Sequence, residues 1–343
     1  MTRFPNIILV GSNATGSLEN AYMRALQKAG VQHVEIFNID ICKFSLQGSS
    51  IVKRAVNRLL SPASTQRIRR KFLQFLYSKR DKYDVVIIFK GMWASRELLE
   101  TCRLIHPAIW VNINPDDPFN LRSRGSTNMH VIHSLSFYDI YCTWARSLVD
   151  RLRREGCQHV EYLPFGYDPD FHILPAQLVI ESGTVSFAGA WDSEREAILT
   201  EISNYDLRIF GNNWDRVSKV SPIYKKVVPR NIYGNELSKV VYGSAVSLNL
   251  LRPQNSGSHN MRTFEIPAMG GLMLTTRSLE QNEFFPEEEG CLMFDDIKEV
   301  RGQLDRLIKS PGLRQRIRRR GLELANGNSY LDRAKALLAM IGS

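Results

Sequence analysis

Arg262 and Glu265 sit in the stretch SGSHNMRTFEIPAMGG (residues 256–271), a polar segment edged by glycines that directly follows the apolar run AVSLNLL. A carboxylate placed in the first turn of a helix is favoured by the helix dipole, stays ionised and can accept hydrogen bonds from vicinal hydroxyls. The amides of the same helix start, with Arg262 beside them, suit a phosphate or a pyrophosphate. A ribose and a diphosphate together make a nucleotide. A second group, NPDDP at 114–118, offers Asp116 and Asp117 for general-base work, with His106 and His133 as lesser candidates. Flanking prolines give both aspartates an ordinary alternative as turn and N-cap residues.

The elements that must carry these residues follow from periodicity. NIILVG reads as a buried strand ending in glycine, and SLENAYMRALQKAG places Leu18, Tyr22, Ala25, Leu26 and Ala29 on one helical face with Gly30 as its stop. The strand HVEIFNI completes the opening of a doubly wound α/β domain. The turn GSNATG lacks the GxGxxG spacing, so a dinucleotide is not expected there. Residues 51–60 and 68–76 read as two amphipathic helices joined at SPAST, and DVVIIF, AIWVNINP and DIYCTW return as strands. The pattern lapses around Asp170 to Ser182, as an interdomain linker would. TVSFAGA, LRIFGNNW, AVSLNLL and LMLTT then form a second α/β series, ending in a long helical tail from Ile297 to Ile341. The 343 residues exceed what one core usually fills and divide into two Rossmann-like halves. In such sheets ligands gather at the carboxyl ends of the strands near the topological switch, and two facing domains would offer the cleft between them.

Within this frame AVSLNLL is a strand, RPQNSGSHNM a loop and RTFEIPAMGG a short helix with Glu265 in its first turn. The segments LNLLRPQNSGSHNMRTFEIPAMGGLMLT, YLPFGYDPDFH, VSFAGAWDSER and NPDDPF together resemble the CgeB-like (spore maturation protein B-like) branch of group 1 glycosyltransferases. The resemblance covers most of the chain and is strongest from Tyr162 to Thr276. It implies a GT-B fold: an acceptor domain over 1–175, a nucleotide-sugar donor domain over 176–325, and a final helix over 326–343 that returns to the first domain. It also implies that Glu265 holds the nucleotide ribose as the second glutamate of a Glu-x7-Glu motif. His259, Asn260, Met261, Arg262 and Thr263 would lie along the diphosphate and sugar, with Gly189, Arg195 and Phe264 completing the donor set. Arg195 and Arg262 are the candidates to neutralise the diphosphate without metal or other cofactor, and no acidic DxD-type motif is needed. The first glutamate is missing, because Gly257 stands eight residues before Glu265. Retaining stereochemistry is therefore open; an inverting transfer would need a general base from the N-terminal domain, with Asp116 and Asp117 ahead of His106 and His133, and His259 is the further catalytic candidate.

Bland readings compete at each position. Arg195 could be a helix-surface charge, His259 a solvated loop residue, and Trp191 and Trp214 core packing rather than stacking platforms for a base or sugar. Net charge is +10 and uneven: 53–82 carries ten Lys/Arg against one acid, and 301–320 carries eight against one. Such clusters attract polyanions or an anionic membrane, so peripheral membrane contact through Lys53–Lys82, a lipid-linked or glycan acceptor, and a non-catalytic polyanion or nucleic-acid binder are all entertained. Nucleic acid is the weaker partner, because it leaves MRTFE unexplained. A GT-B nucleotide-sugar epimerase is the enzymatic alternative. Five cysteines without a CxxC pair point to buried reduced thiols rather than disulfides or zinc, and with no signal-like or membrane-spanning run the expected location is cytoplasmic.

Overall fold

The computed structural model describes residues 4–44, 51–79, 82–121, 125–176, 181–255 and 257–342. The chain divides into two compact units, the first made of 1–164 with 330–343 and the second of 165–329.

Unit 1 runs β1 (Ile7–Gly11), α1 (Leu18–Lys28), β2 (Val34–Asn38), α2 (Ile51–Ser78), β3 (Val85–Phe89), α3 (Arg96–Ile105), β4 (Ile109–Asn114), α4 (Met129–His133), β5 (Ile140–Thr143), α5 (Val149–Arg154) and β6 (Val160–Tyr162). The six strands form one parallel sheet in the order β2-β1-β3-β4-β5-β6. IILVG and VVIIF are buried along their whole length, as strands with both faces covered by helices must be. Ser17 caps α1 by accepting the Asn20 amide, and Tyr22, Ala25 and Leu26 turn into the core. Chain order reverses between β1 and β3, so the switch point of this sheet lies at Gly11 and Phe89. The last helix of the chain, Tyr330–Gly342, belongs to this unit, with Tyr330, Ala334 and Leu337 in the same core as α1.

One difference from the sequence pattern is α2. It is a single helix through Pro62 rather than two helices joined at SPAST. The hydroxyl of Ser64 donates to the Leu60 carbonyl at 2.9 Å and accepts the Phe44 amide at 2.9 Å, giving this turn side-chain partners next to the proline that has no N–H.

Unit 2 runs β7 (Ser182–Ala188), α6 (Ser193–Glu201), β8 (Leu207–Phe210), β9 (Val227–Val228), α7 (Gly234–Gly243), β10 (Ser244–Asn249), α8 (Met261–Ala268), β11 (Met273–Thr276), α9 (Leu279–Phe284), β12 (Leu292–Phe294), α10 (Ile297–Lys309) and α11 (Pro311–Ala325). Its sheet is also parallel, in the order β12-β11-β10-β7-β8-β9. The tail expected as one long helix is three: α10, α11 and, in unit 1, Tyr330–Gly342 as α12. Asp296 caps α10, and Pro311 opens α11 where a missing N–H costs nothing. In this sheet the strand order reverses between β7 and β10. The carboxyl ends of those strands, Ala188 and Asn249, are where a ligand site is to be sought.

Candidate functional site at the β7 and β10 strand ends

The loop after β10 leads into α8, and a buried polar network fixes the junction. Asn249, at the end of β10, donates to Thr263 Oγ1 at 3.2 Å and to Gln281 Oε1 at 3.0 Å, and accepts from Asn260 Nδ2 at 2.8 Å. Thr263 and Thr275 both donate to Gln281 Oε1. Asn260 is the N-cap of α8 and forms a capping box with Thr263. The amides of Met261 and Arg262, in the first turn, have no acceptor within the helix. At the other end Gly270, with φ of 72°, closes a Schellman motif in which the Gly271 amide reaches Ile266 O and the Gly270 amide reaches Pro267 O.

Glu265 lies in the second turn of α8, not the first, so the helix dipole is not what holds it ionised. Nor is it free-standing. It is 5% exposed, Arg262 Nη1 bonds its Oε2, and His172 Nε2 lies 3.5 Å from its Oε1. Burial pushes the carboxyl up, but Arg262 and His172 beside it outweigh that and hold it below the ordinary carboxylate value. Arg262 also donates through Nε to Ala188 O at 3.0 Å, tying α8 to the end of β7.

Arg195 differs from a surface charge. Its side chain is 12% exposed and donates to Ala190 O at 3.0 Å and Leu250 O at 2.8 Å, bridging the loops after β7 and β10. Asp192 caps α6 through the Arg195 amide and is shared by Arg195 and Arg252 at 3.4 and 3.2 Å. Burial, then the repulsion of Arg252, lowers the Arg195 guanidinium to about 10, and Arg262 adds to it. Three arginines thus converge at the switch point on two carboxylates, Asp192 between Arg195 and Arg252, and Glu265 on Arg262. Arg195 Nε is buried, faces Asp192 Oδ2 at 3.4 Å and makes no hydrogen bond among the described residues. The one positive charge left over among these five groups, with Arg252 and Arg262 partly open to solvent, suits the site to an anion.

Gly189 sits beside them: its carbonyl accepts Trp214 Nε1 at 2.8 Å and its amide reaches Phe210 O. Trp214 is therefore core packing, buried against Phe187. Trp191 is half-buried, donates to Glu196 at 2.6 Å and lies under the Arg216 guanidinium.

His259 is not a solvated loop residue. It is fully buried and ringed by Phe165, Phe264 and Phe284. The Phe165 amide can only donate, so Nε2 accepts it at 3.2 Å, and Nδ1 carries the ring proton toward Glu280 Oε2 at 2.9 Å. With both nitrogens engaged, His259 braces the loop ahead of α8. Asn260, Met261, Arg262, Thr263, Phe264 and Glu265 are brought together with Gly189 and Arg195. Asn260 and Thr263 act through the cap, Phe264 is core, and Met261 is exposed.

Asp116 and Asp117 lie in unit 1 at the carboxyl end of β4. Asp116 pairs with Lys90 at 2.5 Å, and Asp117 accepts the Phe119 amide at 2.9 Å in a turn. Lys90, with φ of 61°, sits next to the unit 1 switch point and was not singled out by sequence. His106 is placed at the amino ends of β3 and β4, donating to Tyr83 O, which is the wrong edge of the sheet for a base. His133 is exposed at the end of α4.

The residues missed by sequence reading are His172, Asp192 and Arg252. DPDFH carried the signal for His172, and a single Asp before a helix start marked Asp192 as a cap. Nothing local pointed to Arg252. Gly257 has φ of 81° with open space around it, a backbone that disfavours the glutamate the resemblance expects there. Ser256 lies outside the described residues.

The architecture is α/β, two Rossmann-like domains with parallel sheets, the fold of GT-B glycosyltransferases. Residues 195–339 match a family described as glycosyl transferase-like, a span that contains Arg195, Arg262 and Glu265. Sucrose-phosphate synthase from Thermosynechococcus elongatus is similar in structure, with 14% identity, a TM-score of 0.71 and coverage of 98% of both chains. Anabaena HepE in complex with UDP and glucose superposes over 98% of this chain and 99% of its own, with 10% identity and a TM-score of 0.67. A Listeria monocytogenes protein assigned as a UDP-N-acetylglucosamine 2-epimerase is similar over 98% of this chain and 96% of its own, with 12% identity and a TM-score of 0.59. No curated protein sequence matches the chain.

Proposed function

We propose that the protein transfers a glycosyl group from a nucleoside-diphosphate sugar to an acceptor hydroxyl, with the donor held by unit 2. The observation that carries this is the pairing, at one switch point, of a pre-gripped buried carboxylate with three converging arginines. Glu265 accepts the ribose hydroxyls. Arg195, Arg252 and Arg262, with the first-turn amides of α8, take the charge that develops on the departing diphosphate, so the reading needs no metal for that step. The acceptor oxygen forms a bond to the anomeric carbon as the bond to the diphosphate breaks, and its proton passes to a base or to the leaving group. The acceptor is assigned to unit 1, with Asp116 and Asp117 its candidate bases. The likeness to HepE with bound UDP favours a uridine nucleotide. The CgeB-like branch, with a glycan or lipid-linked acceptor in cell-surface glycan synthesis, remains the finer form of the same proposal.

Incubation with UDP-, GDP- and ADP-sugars, each with and without glycan acceptors, tests it. Acceptor-stimulated release of the nucleoside diphosphate is expected. An altered sugar still attached to its nucleotide would instead establish the epimerase reading that the Listeria likeness keeps in view. No turnover and no binding of any of them would sink both.

A further inference from the structure

Glu265 has two oxygens, and the structure gives each a different cationic or proton-bearing partner on a different segment of unit 2. Arg262 comes from its own helix. His172 comes from the stretch Phe165–His172, which runs into unit 2 well before β7. That stretch is itself fixed: the Tyr167 amide reaches Asn328 O at 3.2 Å, Tyr167 bridges to Ser329, and the Phe165 amide is held by His259. Within it, the backbone amide of Asp168 donates to His172 Nδ1 at 3.0 Å. An amide can only donate, so the ring proton is on Nε2, the atom that faces Glu265 Oε1 at 3.5 Å. The His172 side chain is 13% exposed and thus shielded from bulk water.

We infer that His172 is a positioning residue for ribose recognition: it fixes Glu265 Oε1 in direction, while Arg262 fixes Oε2. A carboxylate gripped from one side alone rotates about its last torsion, and its acceptor lone pairs then miss two adjacent hydroxyls. Gripped from both sides, it presents its remaining lone pairs in one plane. This inference rests on the donor reading of Glu265 and adds that the discrimination of ribose depends on a residue outside α8.

The test compares UDP with its 2′,3′-dideoxy analogue by isothermal titration. The wild-type protein prefers UDP. The variant His172→Ala loses about tenfold of that preference, the size expected when a hydrogen bond between the carboxylate and a ribose hydroxyl is misaligned, while its affinity for the dideoxy analogue is unchanged. His172→Gln, whose amide N–H reaches toward the same oxygen, recovers part of the preference. Equal affinity of both variants for the dideoxy analogue shows that each is folded. An unchanged preference in His172→Ala overturns the inference and leaves the donor reading standing. A wild-type protein that binds UDP no better than the dideoxy analogue, or binds neither UDP, GDP nor ADP, overturns the donor reading and the inference with it.

Discussion

Glu265 is a buried carboxylate whose charge survives because Arg262 and His172 offset its lost hydration. Its folded value lies below the ordinary 4.5, so its contribution to stability is complete above that pH and is lost as pH falls through the folded value. Urea unfolding of the wild type should therefore weaken more steeply below pH 4.5 than that of Glu265→Gln. Parallel slopes for the two proteins would show that the carboxylate is not stabilised in the fold. Removing the partner is harsher. Arg262→Met leaves the carboxylate with His172 alone and should cost on the order of 2 kcal/mol, less than a fully buried pair because 27% of the Arg262 side chain meets water. A midpoint within experimental error of wild type would contradict the pairing. At this scale the sequence spoke through residue types: Arg262 and Glu265 could be picked out, but their ion pair and the approach of His172 to within 3.5 Å could not. His259 shows why. Its partners Glu280 and Phe165 lie 21 and 94 residues away, and no local pattern reports a contact of that kind.

The helix α8 matters as an element because its start is a fixed object. Asn249, Asn260, Thr263 and Gln281 lock it before any ligand arrives. Asn260→Ala should lower stability by about 1 kcal/mol through loss of the cap. It should also weaken nucleotide binding, because the first-turn amides are no longer aligned; intact binding with lowered stability would separate the cap from the site. In unit 1, Pro62 is an interior proline in a continuous helix, and such a residue costs up to about 3 kcal/mol. Pro62→Ala should raise the melting temperature, and a lower one would contradict a net cost of the proline at this position. Elements with long apolar runs, such as β1 and β3, were legible because burial on both faces leaves its mark in composition. The continuity of α2 was not, since SPAST reads as a break and only the Ser64 hydroxyl, bonding Leu60 O and the Phe44 amide, shows how the turn persists.

Across the whole molecule, charge that looks like a polyanion footprint in sequence is partly spent. Arg301, Arg306, Arg314, Arg318 and Arg320 pair with Glu201, Glu288, Glu181 and Glu289 from elsewhere in unit 2, with Glu181 serving two of them and Glu323 also meeting Arg320. In the segment 53–82, Arg80, Asp81 and the side chains of Lys53, Arg54 and Arg58 lie outside the described residues. Among the described residues no helix is long and apolar enough to cross a membrane. The five cysteines are buried, and burial pushes the Cys102 and Cys157 thiols up to about 12. A thiol reagent should thus label the native protein slowly and all five sites after denaturation; a fast native reaction would contradict that burial. The proposed binding of a nucleoside diphosphate at the β7 and β10 strand ends decides the function of the whole molecule. Calorimetric titration of UDP, GDP and ADP into the wild type and Glu265→Ala tests it most directly. Saturable binding that falls by about tenfold or more in a folded variant is the predicted result; equal binding by both proteins, or no binding of UDP, GDP or ADP by the wild type, would contradict it.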